Sequence, residues 1–333
     1  MARTTRERKP RGKQRGDRAT GSSLKRLFKI GLPVIVICAG ALLFFMLGPF
    51  PKSTFDEARA FEHLLTQYGF GPRSPGTEPH RRCLQYITQE LERYLPGVRH
   101  HNFTYESVFL GRVQGTNVWA TTSPQKRAST GRVLLCAHWD TRPMADMDPD
   151  PANRSRGVPG ANDGASGVAV LLEVARILGR KPPPGQVDIV LFDMEDMGGL
   201  PPAQHPQDPF CIGSSRFAAE HPEFRPDFGI LLDMVGKKDL RIRKEAISLE
   251  KAPQVVEKVW SVARRLGVRV FLDESGPPVL DDHVPFLQRG IPVINLIDMD
   301  YPAWHTLQDT PERCSPESLK QVGEVVLGVI YGK

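Results

Sequence analysis

Beyond residue 54 the apolar positions recur first with a helical period and then as short continuous runs. Residues 54–70 carry Phe55, Ala58, Phe61, Leu64, Leu65 and Tyr68 at helical spacing, and Gly69 closes the run. Residues 78–94 repeat the pattern at Cys83, Leu84, Ile87, Leu91 and Tyr94, up to Pro96 and Gly97. Residues 98–122 alternate loosely, which predicts two strands, antiparallel and at a sheet edge, with 123–130 as a polar hairpin loop. From there strands alternate with helices. Apolar runs predict strands at 133–137, 187–192, 228–232 and 291–297, continuous enough to be covered on both faces. Helices are predicted at 167–178, 214–220, 253–266 and 315–331, the last with Ser315 as N-cap and Pro316 at its first position. The helix at 253–266 turns Val255, Val256, Val259, Trp260 and Ala263 inward, and 198–211 reads as a Gly/Pro-rich loop. Such alternation predicts an α/β fold: a three-layer α/β/α sandwich around a mixed, mostly parallel central sheet. Composition does not break between 55 and 333, so this stretch reads as one domain.

The amino end is different. Residues 1–29 hold 11 Lys/Arg against 2 Asp/Glu, a net of +9, whereas the whole chain carries +6, so the remaining residues carry 6 − 9 = −3. The basic character belongs to a tail. With almost no large apolar side chains this tail is expected to be disordered, and the domain itself gives no reason to expect nucleic acid. Residues 30–48 are apolar and uncharged for 19 residues, enough at 1.5 Å per residue to cross roughly 30 Å of hydrocarbon. No small-x-small cleavage site follows, so the segment reads as one transmembrane helix, an uncleaved signal anchor in the lipid bilayer. Residues 49–54 are a linker. The positive tail stays in the cytoplasm, so residues 55–333 are expected outside it, tethered to the cell membrane, and in the periplasm of a Gram-negative-type bacterium. The five cysteines, Cys38, Cys83, Cys136, Cys211 and Cys314, are scattered without a Cys-x-x-Cys pair, which argues against a disulfide scaffold or a cysteine zinc site.

Chemistry gathers at the carboxyl ends of the predicted strands. The first ends in His138-Trp139-Asp140, the second in Asp193-Met194-Glu195-Asp196 and the third in Asp233; the fourth leads to Trp304-His305. Asp163 opens the helix beside them. Open α/β sheets bind ligands along that edge. A lone Asp at a strand end is usually a turn residue, but adjacent Glu195 and Asp196 after an apolar strand require a cation if both are buried. Imidazole and carboxylate donors without thiolate suit Zn2+.

The ordered set HWD (138–140), GANDGASG (160–167), FDMED (192–196), LLDMVG (231–236) and WHT (304–306) resembles the zinc aminopeptidase superfamily. Within it, AHWDTRP, FCIGSS (210–215), DDHVPF (281–286) and YPAWHT (301–306) are similar to glutaminyl cyclases, the glutaminyl-peptide cyclotransferases, in the bacterial branch that resembles the animal enzyme. The resemblance runs from about Phe55 to the end. It implies one zinc on Asp163, Asp196 and His305. It also implies Glu195 as acid/base, Asp233 and Asp281 as a carboxylate network behind it, and a substrate pocket at Trp304, Asp282 and His283. The substrate class is the N-terminus of a peptide or protein, cyclised from glutamine to pyroglutamate with loss of ammonia. His138 stands where the aminopeptidases bind a second metal. Asp196, Ala137, Asn295 and Pro201 depart from the animal enzyme, which has Glu, Cys, His and Trp there. The rival reading is a di-zinc aminopeptidase with His138, Asp163, Asp196, Asp233 and His305 as ligands and Glu195 activating water. A catalytically dead binding domain would have lost a ligand or the base, and none is lost.

Overall fold

The computed structural model describes residues 55–122, 131–200 and 207–332. The expected tail, membrane span, linker and 123–130 hairpin loop, and Pro201, lie outside these residues. Two helices lead, α1 (Glu57–Gly69) and α2 (Glu78–Glu92), N-capped by Asp56 and Thr77, whose side chains accept the amide N–H groups of Arg59 and His80. The strands β1 (Arg99–Ser107), β2 (Gly111–Thr121) and β3 (Arg132–His138) follow, then α3 (Ala165–Arg180), β4 (Gln186–Phe192), α4 (Ile212–Glu220) and β5 (Phe228–Leu232). The rest comprises β6 (Ile242–Lys244), α5 (Ala246–Lys251), α6 (Pro253–Leu266), β7 (Phe271–Ser275), α7 (Val284–Leu287), β8 (Val293–Leu296) and α8 (Pro316–Tyr331).

The main sheet has the order β1-β2-β4-β3-β5-β8. Strands β4, β3, β5 and β8 are mutually parallel, and the antiparallel β1–β2 pair joins at β4, with β1 on the edge as the alternation predicted. Strand periodicity divides the core. Leu135 and Ala137 of β3, Ile189 and Leu191 of β4 and Ile230 of β5 pack with α1, α3, α6 and α8. Their neighbours Leu134, Cys136, Val190, Phe192 and Leu231 pack with Phe217 of α4 and Phe286 of α7. Helices therefore cover both faces, which is why these strands are apolar throughout.

Three details differ from the expectation. Ala58 and Leu65 of α1 are exposed, and Ala60, His63 and Gln67 join the expected Leu64 in being buried. The inward stripe is rotated because Gln67 donates to the carbonyls of His63 and Ala165, a polar contact with α3 that an apolar pattern does not register. A second sheet, β6 paired with β7, was not expected, nor were the short helices α5 and α7. Among the described residues no helix is long and apolar enough to cross a membrane.

Candidate metal centre and catalytic pocket

Parallel strands ending at one edge bring the separated motifs together. His138 ends β3, Asp193–Asp196 follow β4, Asp233 follows β5 and Asp163 precedes α3. The Gly-rich motif before and into α3 is explained by close approach. A Cβ on Gly164 would sit 2.6 Å from Cε1 of His138, and one on Gly167 2.1 Å from the Leu232 carbonyl. Among the described residues four non-glycines have positive φ: Met194, Cys211, Met234 and His305, at 56°, 60°, 47° and 56°. All four are at, next to or touching the site, where such backbone strain, of order 1–3 kcal/mol per residue, is concentrated.

One donor atom from each of Asp163, Asp196 and His305 lies within 4.8 Å of the others, and the same holds for His138, Asp163 and Asp233. Asp163 is common to both groups. His305 Nε2 is 3.2 Å from Asp196 Oδ1 and 3.8 Å from Asp163 Oδ2, while His138 Nε2 is 3.1 Å from both Asp163 Oδ1 and Asp233 Oδ1. All five residues are buried. Asp196 Oδ2 is buried without a hydrogen-bond partner, the kind of orphaned acceptor that a cation satisfies. The residues therefore fit zinc: nitrogen and oxygen donors, no thiolate, an unpartnered carboxylate oxygen. Glu195, Cys211 and Asp281 form a third such group; burial first, and then the Glu195 charge, push the Cys211 thiol well up.

These side chains are held from behind. The Asp140 carboxylate accepts the backbone N–H of Glu195 (3.1 Å) and of Asp196 (3.3 Å). Asp309 accepts those of Asn162 (2.8 Å) and Asp163 (3.1 Å), and also the Tyr301 hydroxyl. Arg73, fully buried on the segment between α1 and α2, donates to the carbonyls of Trp139, Pro159 and Gly160. His80 stacks on Trp139 and sits 2.8 Å from Asp193. No sequence pattern singled out Arg73 or His80 for these contacts, nor Cys211 for its place beside Glu195, nor Arg142, which donates to Asp196. The partners Trp139, Asp193, Asp196 and Glu195 are not sequence neighbours of these residues; the signal that existed was the placement of Arg142 inside AHWDTRP and of Cys211 inside FCIGSS.

The site opens into a cavity of about 290 Å³. Its floor is carboxylate, from Asp163, Glu195, Asp196, Asp233 and Asp281, and its walls are apolar, including Phe210, Val279, Leu280, Met299 and Trp304. Trp304 stacks on His305, ring centroids 3.7 Å apart. Asp282 and His283 do not line it. Asp282 is fully buried and accepts the Ser214 hydroxyl, while His283 Nε2 is 3.3 Å from Glu245. Of the DDH motif only Asp281 reaches the cavity, where Asn295 donates to it (2.6 Å). Burial and then the Asp281 charge raise the Glu195 carboxyl well above its usual range, and the same causes carry Asp233 to about 7. Burial alone would lower His138, but its contacts with Asp140, Asp163 and Asp233 raise it well above the usual value.

A strand-end cluster of carboxylates and imidazoles at an apolar-walled cavity defines an α/β protein built to hold a cation beside a proton-transfer group. Residues 117–330 match peptidase family M28, and the chain belongs to that family. The chain is similar to the solved structure of Tannerella forsythia glutaminyl cyclase, with 40% identity and a TM-score of 0.78 over 84% of this chain and 100% of that one. A Zn-dependent exopeptidase from Parabacteroides distasonis is similar at 37% identity and a TM-score of 0.80, over 85% of this chain and 100% of that one. Glutaminyl-peptide cyclotransferase of Drosophila melanogaster is 29% identical over 72% of this chain and 70% of that protein. Aminopeptidase YwaD of Bacillus subtilis is 27% identical over 65% of this chain, a match that spans 44% of the peptidase's own length.

Proposed function

We propose that this chain is a zinc-dependent glutaminyl-peptide cyclotransferase that converts an N-terminal glutamine to pyroglutamate and releases ammonia. The observation that carries the reading is Glu195 beside the Asp163–Asp196–His305 group on the floor of an apolar-walled cavity. Zinc held by those three residues would supply Lewis acidity toward the glutamine side-chain amide. The walls, Trp304 among them, surround the aliphatic part of the glutamine and keep water away from the reacting carbon. The α-amine of the same residue attacks the amide carbon. Glu195 takes the proton from that amine and returns one to the departing nitrogen, so a C–N bond forms, another breaks and ammonia leaves. A carboxyl raised by burial and by Asp281 suits a group that must both accept and give back a proton. Asp233 and Asp281 stand behind it as the neighbouring carboxylates.

The test is mass spectrometry on the full chain with zinc. A Gln-initiated peptide should lose the mass of one ammonia, and a Leu-initiated peptide should stay intact. Trimming of the Leu peptide without ammonia loss from the Gln peptide would overturn the assignment. One observation favours a second reading, a di-zinc aminopeptidase: the complete His138–Asp163–Asp233 group that shares Asp163 with the first. Two tightly bound zinc ions per chain, with release of first residues, would establish it. The proposal includes the membrane anchor at residues 30–48, supported by its uncharged 19-residue apolar run. Protease added to the outside of spheroplasts should digest the domain; protection would reject this orientation.

A further inference from the structure

Two charged side chains next to the site have no part in that scheme. Arg142 and Asp146 follow β3 on the segment that leads toward α3. The Arg142 side chain is 3% exposed. It grips Asp146 with two parallel bonds, Nε to Oδ1 at 2.7 Å and Nη2 to Oδ2 at 2.8 Å. Its remaining nitrogen, Nη1, donates to Asp196 Oδ1 at 3.0 Å and to the Gly198 carbonyl at 2.9 Å. Asp146 Oδ1 in turn lies 3.8 Å from His305 Nδ1, on the side of the ring away from Asp163 and Asp196. The same segment holds the His305 backbone, with Met147 N–H donating to the His305 carbonyl (3.2 Å) and Asp148 accepting the Leu307 N–H (2.9 Å).

We propose that the Arg142–Asp146 ion pair is the positioning device of the zinc site, setting Asp196 with one member and His305 with the other. The inference rests on the zinc reading of Asp163, Asp196 and His305. Arg142 donates to Oδ1 of Asp196, the oxygen that also lies 3.2 Å from His305 Nε2, and leaves Oδ2 buried without a hydrogen-bond partner. Asp146 faces Nδ1 of His305, which favours the tautomer with its proton there and the lone pair on Nε2, toward the other two ligands. An arginine is required because only a planar guanidinium reaches two carboxylates and a carbonyl at once. An ion pair whose arginine is buried and whose aspartate is 21% exposed is weak support for stability, so its contact with both ligands is the more economical reason for it.

The experiment measures zinc affinity of the full chain by competition with a chromophoric chelator. Alongside it run the visible spectrum of the cobalt-substituted protein and thermal unfolding of the metal-free form. Asp146→Asn and Arg142→Lys should each weaken zinc by about 10- to 100-fold and change the cobalt spectrum, while metal-free unfolding moves little. The double variant Arg142→Met/Asp146→Asn should be no worse than the poorer single one, because the two residues act as a unit. Zinc affinities of both single variants within about threefold of wild type would overturn the proposal. So would a fall in metal-free stability with an unchanged cobalt spectrum, the mark of a merely structural pair. If Asp146→Asn does not fold without metal, Arg142→Lys decides. Wild-type protein that binds no zinc would instead overturn the reading of the site itself, whichever reaction it serves.

Discussion

Glu195 and Glu245 are the same side chain at nearly the same depth, 8% and 2% exposed, and their surroundings drive them in opposite directions. Glu245 caps α5. Its two oxygens accept from Ile247 N (2.8 Å), Ser248 N (2.6 Å), Ser248 Oγ (2.7 Å) and Val279 N (3.0 Å), and His283 stands 3.3 Å away. Burial by itself would raise its carboxyl, but the bonds from His283, Ser248 and the backbone outweigh that and bring it down to about 2. Glu195 has one weak donor, the Cys211 thiol at 3.5 Å, and faces Asp281 and Asp196. Burial sets the scale of the shift, and the donors decide its sign. A carboxylate with every lone pair engaged is structural; one left under-satisfied beside a cavity keeps capacity for a proton in transit.

The comparison can be broken in order of effect. Glu195→Gln should lower ammonia release from a Gln-initiated peptide by about 10³-fold without lowering the urea midpoint, because the carboxyl it replaces is held only by the weak Cys211 donor. A lost midpoint would show that Glu195 is also a structural residue. Glu245→Gln should do the reverse and cost about 3 kcal/mol of unfolding free energy by urea titration, since it breaks a buried, charge-assisted network. Through Val279 it should raise KM more than it lowers kcat. The pH dependence follows from the sign. Glu245 has a depressed pKa, so its contribution is complete above its ordinary value of 4.5 and is lost as pH falls toward about 2. The stability gap between wild type and Glu245→Gln should therefore close across that window, and a gap constant down to pH 2 would contradict the network. The smallest effect belongs to Cys211→Ala. Loss of a weak S–H donor should lower kcat by about threefold with KM unchanged, read in the same ammonia assay.

Much of the fold was legible in the sequence because its periods are local. The run at 228–232 is β5, the amphipathic stretch at 253–266 is α6, and Ser315 and Pro316 open α8 as their types require. β6 and β7 were not legible: IRK and FLDES are mostly polar and carry no apolar run like the one that marked β5. The DDH motif marked the right turn, yet three adjacent polar residues on a turn point three ways, and only Asp281 lines the cavity. Glu245 gave no signal because one of its partners, Val279, is 34 residues away, and Asp309 finds Asn162 across 147.

By itself the sequence determined the alternation of strands and helices and the residue types at the strand ends, since side-chain direction along a strand or helix follows from neighbours a few positions away. Only the tertiary structure decided which carboxylate oxygens found donors and which stayed open. Asp196 Oδ2 is bare while Asp196 Oδ1 is taken by Arg142; Glu245 is saturated while Glu195 is not. Hydrogen bonds and Coulomb forces act through space between elements that the chain order does not make neighbours, and that is where this family member's charge states, and with them its chemistry, are set.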